Sequence, residues 1–302
     1  MNTMGTGDFR EYYIDPRTDF GFKYLFGTEL NKDLLIGFLN ALFHGTRVIT
    51  DVKYLSNEHL GTALDTRKAI FDVYCESESG ERFIVEMQNV FQRFFKDRSI
   101  FYSTFPIWEQ AKRGEWDFRL DAVYTIGILN FVFDEDRESS DYYHHEVKLM
   151  DVETKKVFYD KLTFIYLELP KFTRGEDELE TLFDKWMYVL KNLSRLLARP
   201  AALQERIFTR LFEAAEIARF SPGQLREYED SVKAYRDVVN AVNTAKEEGL
   251  AEGLAKGLER GREEEKLEIA RQMKLSGLPD ELILKCTGVE PNDLDELLTS
   301  GK

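Results

Sequence analysis

Residues 70–75 read Ile70-Phe71-Asp72-Val73-Tyr74-Cys75, and residues 83–88 read Phe83-Ile84-Val85-Glu86-Met87-Gln88. Both runs are rich in β-branched and aromatic residues. The stretch between them, Glu76-Ser77-Glu78-Ser79-Gly80-Glu81, has the composition of a turn. Together they predict an antiparallel hairpin. With the loop symmetric about Ser79, Asp72 sits opposite Glu86, and facing residues carry Cβ atoms about 4.5–5.5 Å apart. Strand side chains alternate between faces. One face then carries Ile70, Asp72, Tyr74, Ile84, Glu86 and Gln88. The other carries Phe71, Val73, Cys75, Phe83, Val85 and Met87.

The second face is wholly apolar and must pack against other elements. The first sets two carboxylates in largely apolar surroundings, where like charges repel. Either one carboxyl keeps its proton through a raised pKa, or a cation neutralises the pair. Two hard oxygen ligands with room for water suit Mg²⁺ or Mn²⁺. The competing reading turns both acids to water at a sheet end, beside Lys or Arg partners. A loop one residue longer on one side would also put them on opposite faces.

Working outward, apolar residues recur at helical spacing over 19–43, with a break at Gly27-Thr28 and an end at His44-Gly45. Asp19 is a candidate N-cap for the first of these helices. Residues 49–55, 69–75, 82–89, 122–133, 145–151 and 162–169 read as strands. Residues 91–112 read as a helix kinked at Pro106 and closed by Gly114. Residues 176–197 read as an amphipathic helix, and 201–245 as helices broken at Ser221-Pro222-Gly223.

At Lys246 the pattern changes. Gly249, Gly253, Gly257 and Gly261 recur every fourth residue, each of the first three followed by a Leu (Leu250, Leu254, Leu258). Each Gly costs a helix about 1 kcal/mol against Ala. The segment reads as a marginal helical linker or as a close-packed helix pair between subunits. Residues 266–273, 279–286 and 292–298 read as three short helices beyond it. Their acidity argues against a DNA-reading helix-turn-helix. The expected organisation is a main domain over 1–200, a helical extension over 201–245, a Gly-repeat linker over 246–263 and a helical module over 264–302.

The chain has 302 residues, of which 43% are hydrophobic and 13% aromatic, enough for a large buried core. Its formal charge of −14 excludes a surface coated in basic residues for non-specific nucleic-acid binding. Locally the balance reverses. Between residues 82 and 119 seven basic residues face five acidic ones, so phosphate contacts are expected there. Cys75 and Cys286 lie in no zinc-binding spacing, and the four histidines form no metal motif. No secretory leader is visible at the start. The longest apolar run, 122–133, falls short of the roughly 20 residues of a membrane span. A cytoplasmic protein without a membrane partner is expected.

The spacing Asp72 … Glu86-x-Gln88 resembles the Asp … Glu-x-Lys signature of PD-(D/E)XK nucleases, with Gln in the Lys place. Further stretches resemble the Rpn family of recombination-promoting nucleases and putative transposases. They are Asp19-Phe20-Gly21-Phe22-Lys23-Tyr24-Leu25-Phe26-Gly27, Phe83-Ile84-Val85-Glu86-Met87-Gln88, Arg98-Ser99-Ile100-Phe101-Tyr102 followed by Gln110, Asp184-Lys185-Trp186-Met187-Tyr188-Val189-Leu190-Lys191-Asn192, and the Gly-repeat tail. The resemblance covers nearly the whole chain, in order. It implies an α/β PD-(D/E)XK core, a mixed sheet flanked by helices, with a C-terminal helical extension.

The resemblance further implies a metal site made by Asp72, Glu86 and the carbonyl of Met87, acting on DNA. Metal there would polarise a phosphodiester and activate water. Gln88 has no charge and cannot act as a base near pH 7, so the missing positive charge falls to Lys23, Lys96 or Arg98. Asp19 is a candidate extra ligand, and Tyr102 and Gln110 candidate substrate contacts. Each has a plainer reading: Lys23 on a solvated helix face, Arg98 paired with Asp97 or Glu109 on its own helix, and Tyr102 and Trp186 in the core. The implied function is a Mg²⁺-dependent DNA endonuclease linked to recombination or mobile elements, assembled as a homo-oligomer through its tail. The alternative is a non-catalytic scaffold that keeps the nuclease fold.

Overall fold

The computed structural model describes residues 11–59, 69–111, 117–134 and 142–290. A six-stranded mixed sheet in the order β1-β4-β5-β6-β8-β7 organises the larger of two compact units, Met1–Val239. Its strands are β1 (Val52–Tyr54), β4 (Val73–Ser77), β5 (Arg82–Gln88), β6 (Val123–Leu129), β7 (His144–Met150) and β8 (Val157–Glu168). Two short strands, β2 (Glu58–His59) and β3 (Ala69–Ile70), pair separately. β4 and β5 form an antiparallel hairpin, whereas β5, β6 and β8 run parallel. Parallel neighbours need a crossover, and α3 (Phe95–Glu109) supplies the one from β5 to β6.

Every residue of β6 is buried, as a strand covered on both faces must be. One face packs on α1 (Asp19–Phe26), α2 (Lys32–Leu42), α4 (Leu182–Asn192) and α5 (Arg206–Ala215), which share one apolar core with Val73, Cys75, Phe83, Val85 and Met87. Trp186 is the hub of that core, with ring centroids 5.8 Å from Phe26, 5.9 Å from Phe38 and 5.2 Å from Phe208. The other face packs on α3.

Local chemistry explains where several helices depart from the sequence reading. Asp19 is not the N-cap of α1. Thr18 is, its hydroxyl accepting from the Gly21 amide, and Asp19 is the first helical residue. The amphipathic stretch over 176–197 is helical only across Leu182–Asn192. Thr181 and Asp184 form a reciprocal capping box that starts it, and 3-10 turns flank both ends. Residues 201–205 are not helical, and α5 ends at Ala215. Pro106 lies inside α3, which begins four residues later than expected, at Phe95. Gly114 lies outside the described residues.

Ser221-Pro222-Gly223 marks the start of the longest helix, α6 (Pro222–Leu275). Ser221 and Gln224 bond each other reciprocally, and Pro at the first helical position loses no hydrogen bond. The Gly repeat lies within α6 and does not interrupt it. Good helix formers fill the positions between the glycines, and Lys256 pairs with Glu252 one turn away at 2.6 Å.

The second unit is Asn240–Lys302. Residues 266–273 are the last turns of α6 there rather than a separate helix, and α7 (Asp280–Thr287) follows. Ala270, Ile283 and Val289 make a small core between them. The helix expected over 292–298 lies outside the described residues. Among the described residues no helix is long and apolar enough to cross a membrane.

Candidate active site

The hairpin has the register expected from a symmetric loop: Val73 faces Val85, Tyr74 faces Ile84, Cys75 faces Phe83 and Glu76 faces Arg82. The turn closes through Gly80, whose φ of +84° favours glycine. The ladder stops one residue short of the acids. Phe71 and Asp72 form a bend between β3 and β4, held by two contacts from Asn57. The Phe71 amide donates to the Asn57 carbonyl at 3.0 Å, and the Asn57 side chain donates to the Asp72 carbonyl at 3.0 Å.

The bend breaks the strict alternation predicted for this strand. Phe71 is fully buried with Tyr74 and Ile84, not with Val73 and Cys75. Ile70 is 53% exposed and does not wall the site. Even so, the Asp72 carboxylate turns back onto β5, where its Oδ2 accepts from the Met87 amide at 2.9 Å.

Glu86 lies in the middle of β5 and is 8% exposed. Burial and then the Asp72 charge push its pKa up to about 7, against the opposing pull of Arg98. Burial also raises Asp72, with Asp19 adding to the rise, while the Met87 amide, Lys23 and Arg98 offset part of it. Two carboxylates thus share a buried spot that disfavours charge on both.

Arg98 does not pair along its own helix. Its guanidinium spans the site instead: Nη2 lies 3.3 Å from Glu86 Oε2 and donates to Gln88 Oε1 at 2.6 Å, and Nη1 donates to Gln92 Oε1 at 2.7 Å. It lies 5.5 Å from the Phe95 ring centroid and 5.4 Å from that of Tyr102. Gln88 uses its amide hydrogens on the Val90 carbonyl.

α3 can bring Arg98 this close because β6 carries Gly127 directly beside Glu86. A Cβ there would stand 3.1 Å from the Tyr166 ring and 3.3 Å from the Phe95 ring. Tyr102 packs its ring 5.2 Å from Phe71, so its core reading and its contact with Arg98 both hold.

The remaining sequence candidates divide. Lys23 and Asp19 bond each other at 2.6 Å and line a cleft with Asp72, so both lie near the site but are engaged with one another. Lys96 sits 4.5 Å over the Phe133 ring. Gln110 does not join the site. Its side chain clamps the backbone of Asp121, accepting from the amide at 2.7 Å and donating to the carbonyl at 3.3 Å, near the opposite end of β6. Sequence reading missed Gln92, six residues before Arg98 and outside α3, and Asn57, which acts across the fold on Phe71 and Asp72.

Among the described residues no group of three or more His, Cys, Asp or Glu side chains converges as a metal cage. The donor set nevertheless fits a hard divalent ion. The buried Glu86 and half-buried Asp72 carboxylates repel each other, and such ions accept water and substrate oxygens for their remaining ligands.

An antiparallel hairpin feeding a parallel ladder, with an Asp at the bend and a Glu on the next strand, defines a PD-(D/E)XK-type core. Family comparison agrees: the model of the PD-(D/E)XK nuclease family transposases matches residues 16–245. The chain belongs to that family. Comparison with curated proteins and with solved structures gave no match.

Proposed function

We propose that this chain is a divalent-metal-dependent DNA endonuclease of the Rpn type, serving recombination or mobile elements. The observation that carries the reading is the pairing of Asp72 and Glu86 from adjacent segments in one buried spot, with Glu86 raised to about 7. Asp72, Glu86 and the Met87 carbonyl would hold Mg²⁺ or Mn²⁺, which when bound would supply a Lewis acid for the phosphodiester and a more acidic water.

Arg98 supplies the positive charge that a Lys at position 88 would otherwise bring. Its planar fork suits a phosphate, and Gln88 and Gln92 hold that fork in place. Tyr102 supports it through ring contact. Lys23, buffered by Asp19, balances the charge on Asp72 from the other side.

The competing reading is an inactive scaffold. It draws on Gln88 and on the Arg98–Glu86 contact, in which an arginine already offsets one carboxylate. One assay decides between them: nicking of supercoiled plasmid with Mg²⁺ or Mn²⁺, with Asp72→Ala and Glu86→Ala as controls. Metal-dependent nicking that vanishes in both variants supports the enzyme. Equal rates in wild type and variants, or no nicking, overturn it. The tail, whose Leu250, Leu254 and Leu258 are 74%, 64% and 57% exposed, is assigned to self-association.

A further inference from the structure

Beside Asp72 opens a cleft of about 780 Å³ between α1 and the first turns of α6. Volumes of roughly 300–1,000 Å³ hold small organic ligands. Its wall carries Phe20 and Tyr24, one turn apart on α1, whose rings stack in parallel with centroids 5.6 Å apart and planes 9° apart. Facing them from α6 are Glu227 and Asp230, both exposed. Asp19 and Asp72 add two more carboxylates, and Lys23, the one lysine among the described residues of the cleft, is bonded to Asp19.

Among the described residues the cleft disfavours phosphate, because its four carboxylates repel an anion and its lysine is already bonded to one of them. It suits a nucleobase. Phe20 and Tyr24, which also pack on Phe220, bring aromatic surface to the cleft wall for stacking, and the carboxylates accept hydrogen bonds from exocyclic amino groups. Arg98 lies by contrast at the Glu86 side of the carboxylate pair, where a backbone phosphate would sit.

We propose that the cleft receives one unstacked base of the substrate strand, next to the phosphate being cut, so that the substrate class is single-stranded or locally unpaired DNA. Adenine, cytosine and guanine carry the required amino group and thymine does not. The inference rests on the nuclease reading for its substrate but is tested without catalysis.

The test is fluorescence anisotropy of the full chain with labelled oligo-dC, oligo-dA, oligo-dT and a matched duplex, in EDTA. Wild type is expected to bind the dC and dA tracts about tenfold more tightly than dT, the scale of a hydrogen bond to a charged acceptor, and dT, which can only stack, more tightly than the duplex. The Glu227→Ala/Asp230→Ala double variant changes only exposed side chains, removes both acceptors and is expected to erase the dC-over-dT preference. Tyr24→Leu is expected to weaken every single strand towards the duplex value. Tyr24 also packs on Phe220, so the carboxylate variant carries the test should Tyr24→Leu fail to fold.

Equal binding of all four probes by wild type overturns the proposal. So does a double variant that tightens every probe by the same factor, because the carboxylates would then be a repulsive wall and nothing more. A tract preference without metal-dependent nicking would sink the nuclease reading and leave the base site standing. Nicking without the preference would do the reverse.

Discussion

Glu86→Gln should stabilise the metal-free protein, and by an amount that depends on pH. The Glu86 carboxyl titrates near 7 in the fold against an ordinary value of 4.5. A carboxyl that holds its proton more tightly when folded favours the fold most at pH below the unfolded value. That stability falls as pH rises from about 4.5 and levels off above about 7. The shift corresponds to about 3 kcal/mol at pH about 8 and under about 1 kcal/mol at pH about 5.

Gln has the same shape as Glu and no charge, and its Oε1 still accepts from Arg98. The variant should therefore exceed wild type in urea-unfolding free energy by up to about 3 kcal/mol at pH about 8 in EDTA, with little gain at pH about 5. Millimolar Mn²⁺ should raise the melting temperature of wild type and leave that of the variant unchanged. A variant equally or less stable at both pH values would refute the reasoning. It would mean that Arg98 already satisfies an ionised Glu86, and that no further cation is called for.

Arg98→Met removes the charge that holds Glu86 down, so the pH at which that stability loss levels off should move further above about 7, and plasmid nicking should fall about a hundredfold. Gly127→Ala must displace the Phe95 and Tyr166 rings at 3.3 Å and 3.1 Å, and should cost about 1–3 kcal/mol by urea unfolding while weakening nicking. A chain ending at Ala245 should lose mass per particle in light scattering, because it lacks the exposed Leu250, Leu254 and Leu258; an unchanged mass removes the tail from assembly.

The hairpin was legible in the sequence because its register depends on local facts: a symmetric polar loop, a glycine able to take positive φ, and two apolar runs of similar length. The bend at Phe71-Asp72 was not, because it is set by Asn57, fourteen residues upstream of Phe71 in the chain and adjacent only in the fold. A period-2 pattern carries no mark of a missing ladder bond, so Phe71 and Ile70 were assigned to the wrong surroundings while Asp72 still reached the site.

Arg98 shows the same division. Its own helix carries Asp97 and Glu109, but Asp97 is its immediate neighbour and Glu109 is taken by Arg82, whereas the sheet beneath α3 offers a buried carboxylate. Gln110 misled in the opposite sense. Its spacing from Tyr102 suggested a shared face, but its side chain lies past the end of α3 and bonds the backbone of Asp121.

Placing the positive charge on α3 instead of on β5 has a physical consequence. A lysine at position 88 would be fixed by the strand itself, two residues from Glu86 on the same face. A charge on α3 is fixed only as well as the helix is docked. That docking rests on Phe95 lying against Gly127, on Tyr102 lying against Phe71, and on two glutamines gripping the guanidinium. On the nuclease reading, packing residues that never touch DNA therefore set the position of the group that does. Variants at Gly127 or Phe71 should lose rate faster than they lose fold, which separates a charge held by packing from one held by the strand.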